Sequence, residues 1–397
     1  MDYSILRRWV LVIACLCLAL NAGCADEYRT IVDSRGVAVQ VPTDIERVVT
    51  ISDGFVEEVM TVIGLQDKLI GLGSEGFSWI SDVKSPTSDG GNRSVGTCMH
   101  VAAYLNPWIR DLPVISSWSM PPNYEMLVSL DPDVVIIRAG DCTFYMDEES
   151  RQKAIDTIES LDIPLVVTYA PNTYDEPNMS IISEEIRIVG QVFGKEDEAV
   201  EIADYLESEV EFVSERTAEI QDNDKPRVLI FGMSPKARGN GGAGYAYGLN
   251  TTESYFVENI VNAKNAYQEN GGSTQLLSSE HILALEPDVI VLATSHAYPT
   301  PQELYEAPYY QNLQDMRAIK NKRVVALPWT PVNCAKRLEY PIEVMVIAKA
   351  TYPELFQDVD LDSWILDFYQ NVYDVDETQA KELRSLQGMD WTLEEGL

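Results

Sequence analysis

Arginine and aromatic side chains recur in the segments that follow apolar, strand-like runs of this sequence. Aromatic faces can stack on a macrocycle or a catechol, and the forked guanidinium of arginine pairs with a carboxylate at two points. His296 follows such a run too, at the kind of strand end where open α/β sheets bind ligands. Aromatic residues are also ordinary core residues, so any one ring can be structural instead. We predict that ten side chains bind a ligand: Trp118, Arg138, Tyr145, Arg238, Tyr245, Tyr247, His296, Tyr298, Trp329 and Arg337.

Sequence motifs for catalysis or metal binding are missing. The three histidines, His100, His281 and His296, are not at metal-ligand spacing, and no Cys-x-x-Cys pair occurs. There is no phosphate-binding Gly-x-x-x-x-Gly-Lys loop and no Gly-x-Ser-x-Gly nucleophile motif. The Gly-rich string 239–244 does not directly join a strand to a helix, so we interpret it as a loop at the rim of a cleft. We therefore predict no catalytic residue, no metal site and no resident cofactor.

A repeated phrase indicates how these residues are positioned. Each copy begins with Leu-Asp/Glu-Pro-Asp and continues as an apolar run, which is typical of a strand buried in a parallel sheet. A helical pattern precedes each copy. The two copies of the phrase are 130–137 and 285–292, preceded by helical patterns 124–130 and 279–285. A second echo pairs the strand-like segments 47–52 and 227–232, followed by helical patterns 55–63 and 255–263. Two similar α/β units are therefore expected.

Further strand and helix patterns complete these units. Strands are expected at 68–71, 164–168 and 323–327, and helices at 342–350 and 361–373. Between the units, an amphipathic segment ends in the helix 196–220, which is long enough to cross a whole lobe. The predicted fold class is α/β: two Rossmann-like lobes with parallel sheets, joined by a long rigid helix. We divide the chain into a signal peptide (1–24), an N-terminal lobe (25–180), a bridging helix (181–222) and a C-terminal lobe (223–397).

The N-terminus predicts export. Arg7 and Arg8 precede the apolar run 9–20, and small residues lead to Cys24, as in a secretory signal. The run is too short to span a bilayer. Cys24 is predicted to carry a lipid anchor; the alternative is plain secretion. With a net charge of −34 over 397 residues, the surface would repel nucleic acid, which we exclude as a partner.

Three of the six cysteines lie beyond the predicted signal and Cys24. They are Cys98, Cys142 and Cys334, so at most one disulfide forms among them. We expect Cys98–Cys142, because both lie in predicted loops of the first half and an exported protein meets an oxidising compartment.

The order of these motifs resembles the substrate-binding proteins of ABC importers for iron–siderophores, haem and cobalamin. The matching segments are 39–49, 58–71, 124–137 and 186–199. Two departures concern the ligand: Lys264-Asn265 stand where the family often has Gly-Gly, and segment 74–112 is longer than expected. The resemblance implies two lobes joined by a backbone helix and a non-enzymatic role.

The resemblance further implies that a small-molecule metal chelate (ferric siderophore, haem or corrinoid) binds between the lobes and is delivered to an ABC permease and its ATPase. It implies one exposed docking glutamate on each lobe, which we assign to Glu58 and Glu258, with Glu57 as the alternative to Glu58. We expect a monomer anchored by lipid to the outer face of the cytoplasmic membrane. Two alternatives stay open: a binding protein for a free metal ion or oxyanion, and a secreted bilobed enzyme such as a chelatase.

Overall fold

A computed structural model describes residues 27–73, 76–86, 91–116, 121–140, 147–174, 176–269, 274–331 and 336–395. The predicted signal and Cys24 precede these residues. Trp118, Tyr145, Cys142 and Cys334 also lie outside them. Within the described ranges, no helix is both long and apolar enough to cross a membrane.

The N-terminal lobe is built on a four-stranded sheet whose paired strands are all parallel. Its strands are β3 (Val48–Ile51), β4 (Leu69–Leu72), β7 (Val134–Ala139) and β8 (Leu165–Tyr169), which follow the antiparallel pair β1 (Tyr28–Val32) and β2 (Ala38–Pro42). The spatial order is β4-β3-β7-β8. Every residue of β3 and β7 is buried, which explains their continuous apolar sequences.

Helices cover this sheet, and a hairpin extends from it. The helices are α1 (Phe55–Val62), α2 (Val101–Leu105), α3 (Tyr124–Ser129) and α4 (Glu148–Glu159). Segment 74–112 contains the antiparallel strands β5 (Ile80–Pro86) and β6 (Asn92–Met99). We call this β5–β6 hairpin the strap. It accounts for the extra length that the sequence shows in this segment.

Two helices connect the lobes. They are α5 (Ser180–Phe193) and α6 (Glu196–Thr217). Gly194 ends α5 in the left-handed conformation, with φ +66°, which glycine adopts at little cost. A Cβ on Gly190 would lie 2.3 Å from the Cβ of Ala199, so the two helices pack closely at their junction. Helix α6 has 22 residues, which corresponds to about 33 Å.

The C-terminal lobe has a second, mixed sheet. Its strands are β9 (Arg227–Gly232), β10 (Gly244–Tyr247), β11 (Lys264–Asn265), β12 (Thr274–Leu277), β13 (Val289–Leu292) and β14 (Val324–Ala326). The order is β12-β10-β9-β13-β14, and β11 pairs with β9. The predicted strands β9, β13 and β14 are parallel, and β11, which was not predicted, is parallel to β9; β10 is antiparallel to both of its neighbours.

The remaining helices follow α6 along the chain. They are α7 (Pro235–Gly239), α8 (Thr252–Tyr255, continued by a π-helical turn Phe256–Ile260), α9 (Ser279–Leu285), α10 (Pro301–Glu306), α11 (Arg317–Lys320), α12 (Tyr340–Thr351), α13 (Leu361–Tyr373), α14 (Glu377–Leu386) and α15 (Trp391–Glu395). Every residue of α12 is buried, so this helix belongs to the core.

The repeated phrase makes the same hydrogen bonds to the first strand of the sheet in both lobes. The Asp133 carboxylate accepts the backbone N–H of Arg47 at 2.9 Å, and the Asp288 carboxylate accepts that of Arg227 at 2.9 Å. In return, each Asp N–H donates to the carbonyl of the same arginine at 2.8 Å. The Pro-Asp step therefore fixes where the first strand of each lobe begins beside its neighbour.

Candidate ligand-binding cleft between the lobes

The carboxyl ends of the parallel strands form one edge of each sheet, where open α/β folds bind ligands. We name each edge after its lobe: the N-terminal edge belongs to the N-terminal lobe, and the C-terminal edge belongs to the C-terminal lobe. The N-terminal edge comprises Ser52–Gly54 after β3 and the end of β7. The C-terminal edge comprises the residues that follow β9, β13 and β14. All ten predicted ligand-binding residues follow, or lie near the end of, a strand in sequence, and eight of them are described by the structure.

Arg138 lies at the N-terminal edge but is fully buried. Its Nε and Nη2 donate to both carboxylate oxygens of Glu185 at 2.9 and 2.8 Å, and Nη1 donates to Asp53 at 3.1 Å. The guanidinium also stacks 4.0 Å from the centre of the Phe55 ring. Although burial opposes the charge, the two carboxylates raise its pKa. Arg138 therefore neutralises buried acids, and it is not the accessible cation that the sequence led us to expect.

A short segment of the C-terminal lobe binds to the N-terminal edge. The backbone carbonyl of Lys336 accepts a hydrogen bond from Arg138 Nη1 at 2.8 Å, and the N–H of Leu338 donates to Glu58 Oε2 at 3.4 Å. Arg337 Nη1 lies 3.6 Å from Glu58 Oε1. We call residues 336–338 the joint. Arg337 is buried in it, facing a carboxylate of the other lobe.

The side chain of Lys336 anchors the joint to its own lobe. Its ammonium lies 3.1 Å from Glu253 and 2.7 Å from Glu343, with no measurable exposure. Both carboxylates raise the pKa of this lysine against the effect of burial. The joint therefore stays charged and fixed on the C-terminal side while its backbone binds the N-terminal side.

The exposed position predicted for Glu58 is wrong, because its side chain is fully buried in the joint. His100 Nδ1 lies 3.5 Å from its Oε1. Burial, with the nearby Glu339, raises the pKa of Glu58 well above its ordinary value. The alternative, Glu57, is also fully buried and accepts a hydrogen bond from the Thr50 hydroxyl. Glu258 is half-buried on the π-helical turn, and its Oε1 accepts from the Asn265 N–H at 3.2 Å.

Four of the predicted residues on the C-terminal edge are engaged within their own lobe. The Tyr247 hydroxyl donates to the Thr294 carbonyl, and the Tyr298 hydroxyl donates to the Gly388 carbonyl at 2.8 Å. Trp329 is buried. Arg238 Nη1 lies 3.3 Å from Glu303 and its guanidinium stacks 3.9 Å from the Tyr309 ring centre. These contacts are typical of structural residues, because buried aromatic rings and hydroxyls usually find such partners.

Two other predicted residues on this edge reach solvent, and a third joins them. His296 is exposed and Tyr245 is half-buried, with their rings 6.0 Å apart. Lys236, exposed on α7, places its Nζ 3.2 Å from His296 Nε2. Lys236 is not among the predicted residues, although its position four residues after β9 marks it as an edge residue. Lys236, Tyr245 and His296 are called the donor cluster below.

The strap links the lobes a second time. Strand β5 packs on α10, and β6 packs on α14. The Gln387 side chain donates to the carbonyl of Met99 at the end of β6 at 3.0 Å, and Tyr104 on α2 donates to Glu382. The long insertion therefore spans the two lobes.

The predicted disulfide between Cys98 and Cys142 gains no support. Cys98 on β6 has a free, buried thiol, and Cys142 lies outside the described residues.

No group of three or more His, Cys, Asp or Glu side chains in the described ranges is arranged to hold a metal ion. The edges instead offer hydrogen-bond donors on the C-terminal side. A ligand held there would be bound by its own acceptor atoms rather than through a protein-bound metal.

Two exposed glutamates occupy equivalent positions in the repeated phrase. Glu125 on α3 and Glu280 on α9 each stand five residues before the leucine that opens the phrase, and both are exposed. Each lies in the first turn of its helix, next to a side-chain cap on Asn123 or Ser278. The internal repeat, had it been followed for charged residues, would have identified this pair.

Known proteins match much of the chain. A family model described as periplasmic binding protein matches residues 98–330, more than half of the 397 residues. The molybdate-binding protein MolA of Haemophilus influenzae is 25% identical over 291 residues, covering 67% of this chain and 75% of MolA. The ABC transporter substrate-binding lipoprotein YvrC of Bacillus subtilis is 24% identical over 240 residues, covering 60% of this chain and 68% of YvrC.

A solved structure shares the whole fold. The crystal structure of a periplasmic solute binding protein from Veillonella parvula has a TM-score of 0.71 and 19% identity, covering 93% of this chain and 100% of that one. This likeness confirms the predicted class of two α/β lobes.

Proposed function

Because this chain belongs to the periplasmic binding protein family and is the substrate-binding component of an ABC transporter, we propose that its cargo is a metal chelate held between the lobes. A ferric siderophore, haem or a corrinoid would bind at the C-terminal edge and pass to the permease, without a chemical step. One observation carries this proposal. The donor cluster reaches solvent at the sheet edge where such folds bind ligands, whereas the corresponding N-terminal edge is filled by the joint.

A small oxyanion is the second candidate. It is favoured by the match to MolA, a molybdate-binding protein that covers two thirds of this chain. Ammonium, imidazole and phenol donors suit oxygen acceptors of either ligand class. The chelate is preferred here because the Tyr245 ring adds a flat face to these donors.

For docking on the permease, we propose Glu125 and Glu280 in place of Glu58. The family resemblance calls for one exposed glutamate on each lobe, and these two are exposed and related by the internal repeat. Glu258 is the less suitable candidate on the C-terminal lobe, because a backbone N–H and the Gln268 side chain already occupy its Oε1. Exposed carboxylates of this kind act mainly on encounter rate and on its salt dependence.

Anchoring by lipid on Cys24 is part of the same proposal. The sequence around Cys24 resembles a lipoprotein signal, and the relative YvrC is a lipoprotein. The anchor would hold the chain at the outer face of the membrane beside its permease and ATPase.

A single experiment tests cargo and docking together. Glu125→Ala combined with Glu280→Ala is expected to bind the ferric complex of 2,3-dihydroxybenzoate like the unmodified chain, while iron uptake by cells falls to background. The control pair, Glu201→Ala with Glu211→Ala on the exposed side of α6, removes the same charge and should leave uptake intact. Normal uptake by the first pair would overturn the docking assignment. Failure of the unmodified chain to bind a ferric siderophore, haemin or cyanocobalamin would overturn the cargo.

A further inference from the structure

We infer that Lys236, positioned against His296, selects the cargo by charge, so that the chain prefers anionic, oxygen-rich chelates over neutral ones such as corrinoids. This inference rests on the proposed function and narrows its ligand class. It names one residue, Lys236, that neither the motifs nor the family resemblance indicates.

Backbone geometry brings the two residues together. Gly232 ends β9 so close to Ser295 that a Cβ on Gly232 would lie 2.4 Å from the Ser295 Cβ. The chain then turns into α7, which the Ser234 hydroxyl caps by accepting the Ala237 N–H at 3.2 Å. Lys236 on this short helix thereby reaches the residue that follows Ser295.

His296 has an unusual backbone conformation that directs its ring. Its φ is +59°, a left-handed value that costs a non-glycine residue energy and is concentrated at functional sites. The Ser295 N–H donates to the Ala297 carbonyl at 3.1 Å across this turn. Such local strain persists where the surrounding structure fixes it, here by the close contact with β9.

The contact between Lys236 and His296 fixes which atoms face a ligand. An ammonium group can only donate hydrogen bonds, so Nε2 of His296 accepts a hydrogen bond from Lys236 Nζ, 3.2 Å away. Partial burial and the charge of Lys236 both lower the pKa of His296, which keeps the imidazole neutral and its proton on Nδ1. Two ammonium N–H groups, the Nδ1–H and the Tyr245 hydroxyl are then left as donors.

Lys236 and Arg238, two residues apart, differ in whether a carboxylate of the protein neutralises their charge. Within the described residues, no carboxylate lies within ion-pair distance of Lys236, whereas Arg238 lies 3.3 Å from Glu303. In a chain with 63 acidic and 29 basic residues, a cation without a nearby carboxylate at the ligand-binding edge attracts an anion. Carboxylate, catecholate and oxometallate oxygens are acceptors suited to these donors.

The test compares Lys236→Met with Lys320→Met in a binding titration. Lys320 is exposed on α11, just before β14 and so at the opposite edge of the same sheet, and its removal changes the net charge equally. The probes are ferric citrate, the ferric complex of 2,3-dihydroxybenzoate, sodium molybdate and cyanocobalamin. We expect the unmodified chain to prefer the anions. Lys236→Met should weaken anion binding about tenfold or more, and Lys320→Met should change it less than twofold.

Further readouts separate charge recognition from a folding effect. Lys236→Arg should recover most of the affinity, and Lys236→Met should reduce the dependence of binding on salt. Equal anion affinity in Lys236→Met and the unmodified chain would overturn the inference. Preference for cyanocobalamin would also overturn it while leaving the proposed function intact. Binding of none of the chelates would overturn both.

Discussion

The two sheet edges occupy the same place in their lobes but hold charged groups in opposite ways. At the N-terminal edge, the charged side chains Asp53, Arg138 and Glu185 are buried and paired with one another. At the C-terminal edge, Lys236 and His296 are exposed. The repeated α/β units therefore differ at this edge: the N-terminal edge binds the joint, whereas the C-terminal edge leaves exposed side chains where we propose that the ligand binds.

The difference arises from a segment far away in sequence. The joint at 336–338 fills the N-terminal edge and supplies a carbonyl, an N–H and a guanidinium to it. On the C-terminal side, the N-terminal lobe contributes the strap, which packs on helices α10 and α14 and leaves Lys236 and His296 exposed. We therefore expect mutations at the two edges to have different consequences.

The largest expected effect is on stability, from Arg138→Met. Removal of the guanidinium leaves Asp53 and Glu185 buried without their cation, and such losses cost about 3–5 kcal/mol. Denaturation by urea should show this decrease in the free energy of unfolding. Arg187→Met is the control, because Arg187 pairs with Asp204 and Glu207 at the surface and should cost less than about 1 kcal/mol. Similar losses in both variants would contradict the buried-joint account.

A smaller effect, dependent on pH, is expected from Glu57→Gln. Burial raises the pKa of Glu57 from 4.5 to about 7. Between these values the folded chain holds a proton that the unfolded chain has released, so the contribution of this group to stability falls as pH rises. The full cost is up to roughly 3 kcal/mol. Glu57→Gln should therefore match the unmodified chain at pH 4 and be more stable at pH 8. The opposite order at pH 8 would show that Glu57 is ionised and stabilising.

Local patterns predicted the repeated phrase and most of the parallel strands, but not the strap or strands β10, β11 and β12. Continuous apolar runs gave β7, β9 and β13, and the Pro-Asp step has a shared structural role in both lobes. The burial of Glu58 could not be predicted this way, because its partners Arg337 and Leu338 lie about 280 residues away. The side of α1 that carries Glu58 faces the interior, where Arg337 and Leu338 contact it.

The candidate site was predicted in position more than in detail. Tyr245 and His296 lie at the C-terminal edge and are accessible, as expected of ligand-binding residues, but their role in binding stays a prediction. Tyr247, Tyr298 and Trp329 are at strand ends as well, yet they are buried. Sequence position identifies a strand end, whereas the direction of a side chain there depends on packing with α12–α15 and the edge strands.

The position of the metal in a crystal grown with a ferric catecholate or ferric citrate would test the proposed site directly. Anomalous scattering at the iron edge locates the metal independently of the protein atoms. We expect one iron peak between the lobes, with the chelate oxygens facing Lys236, Tyr245 and His296 at the C-terminal edge. An iron peak elsewhere, with the chelate making no contact with the donor cluster, would overturn the proposed site.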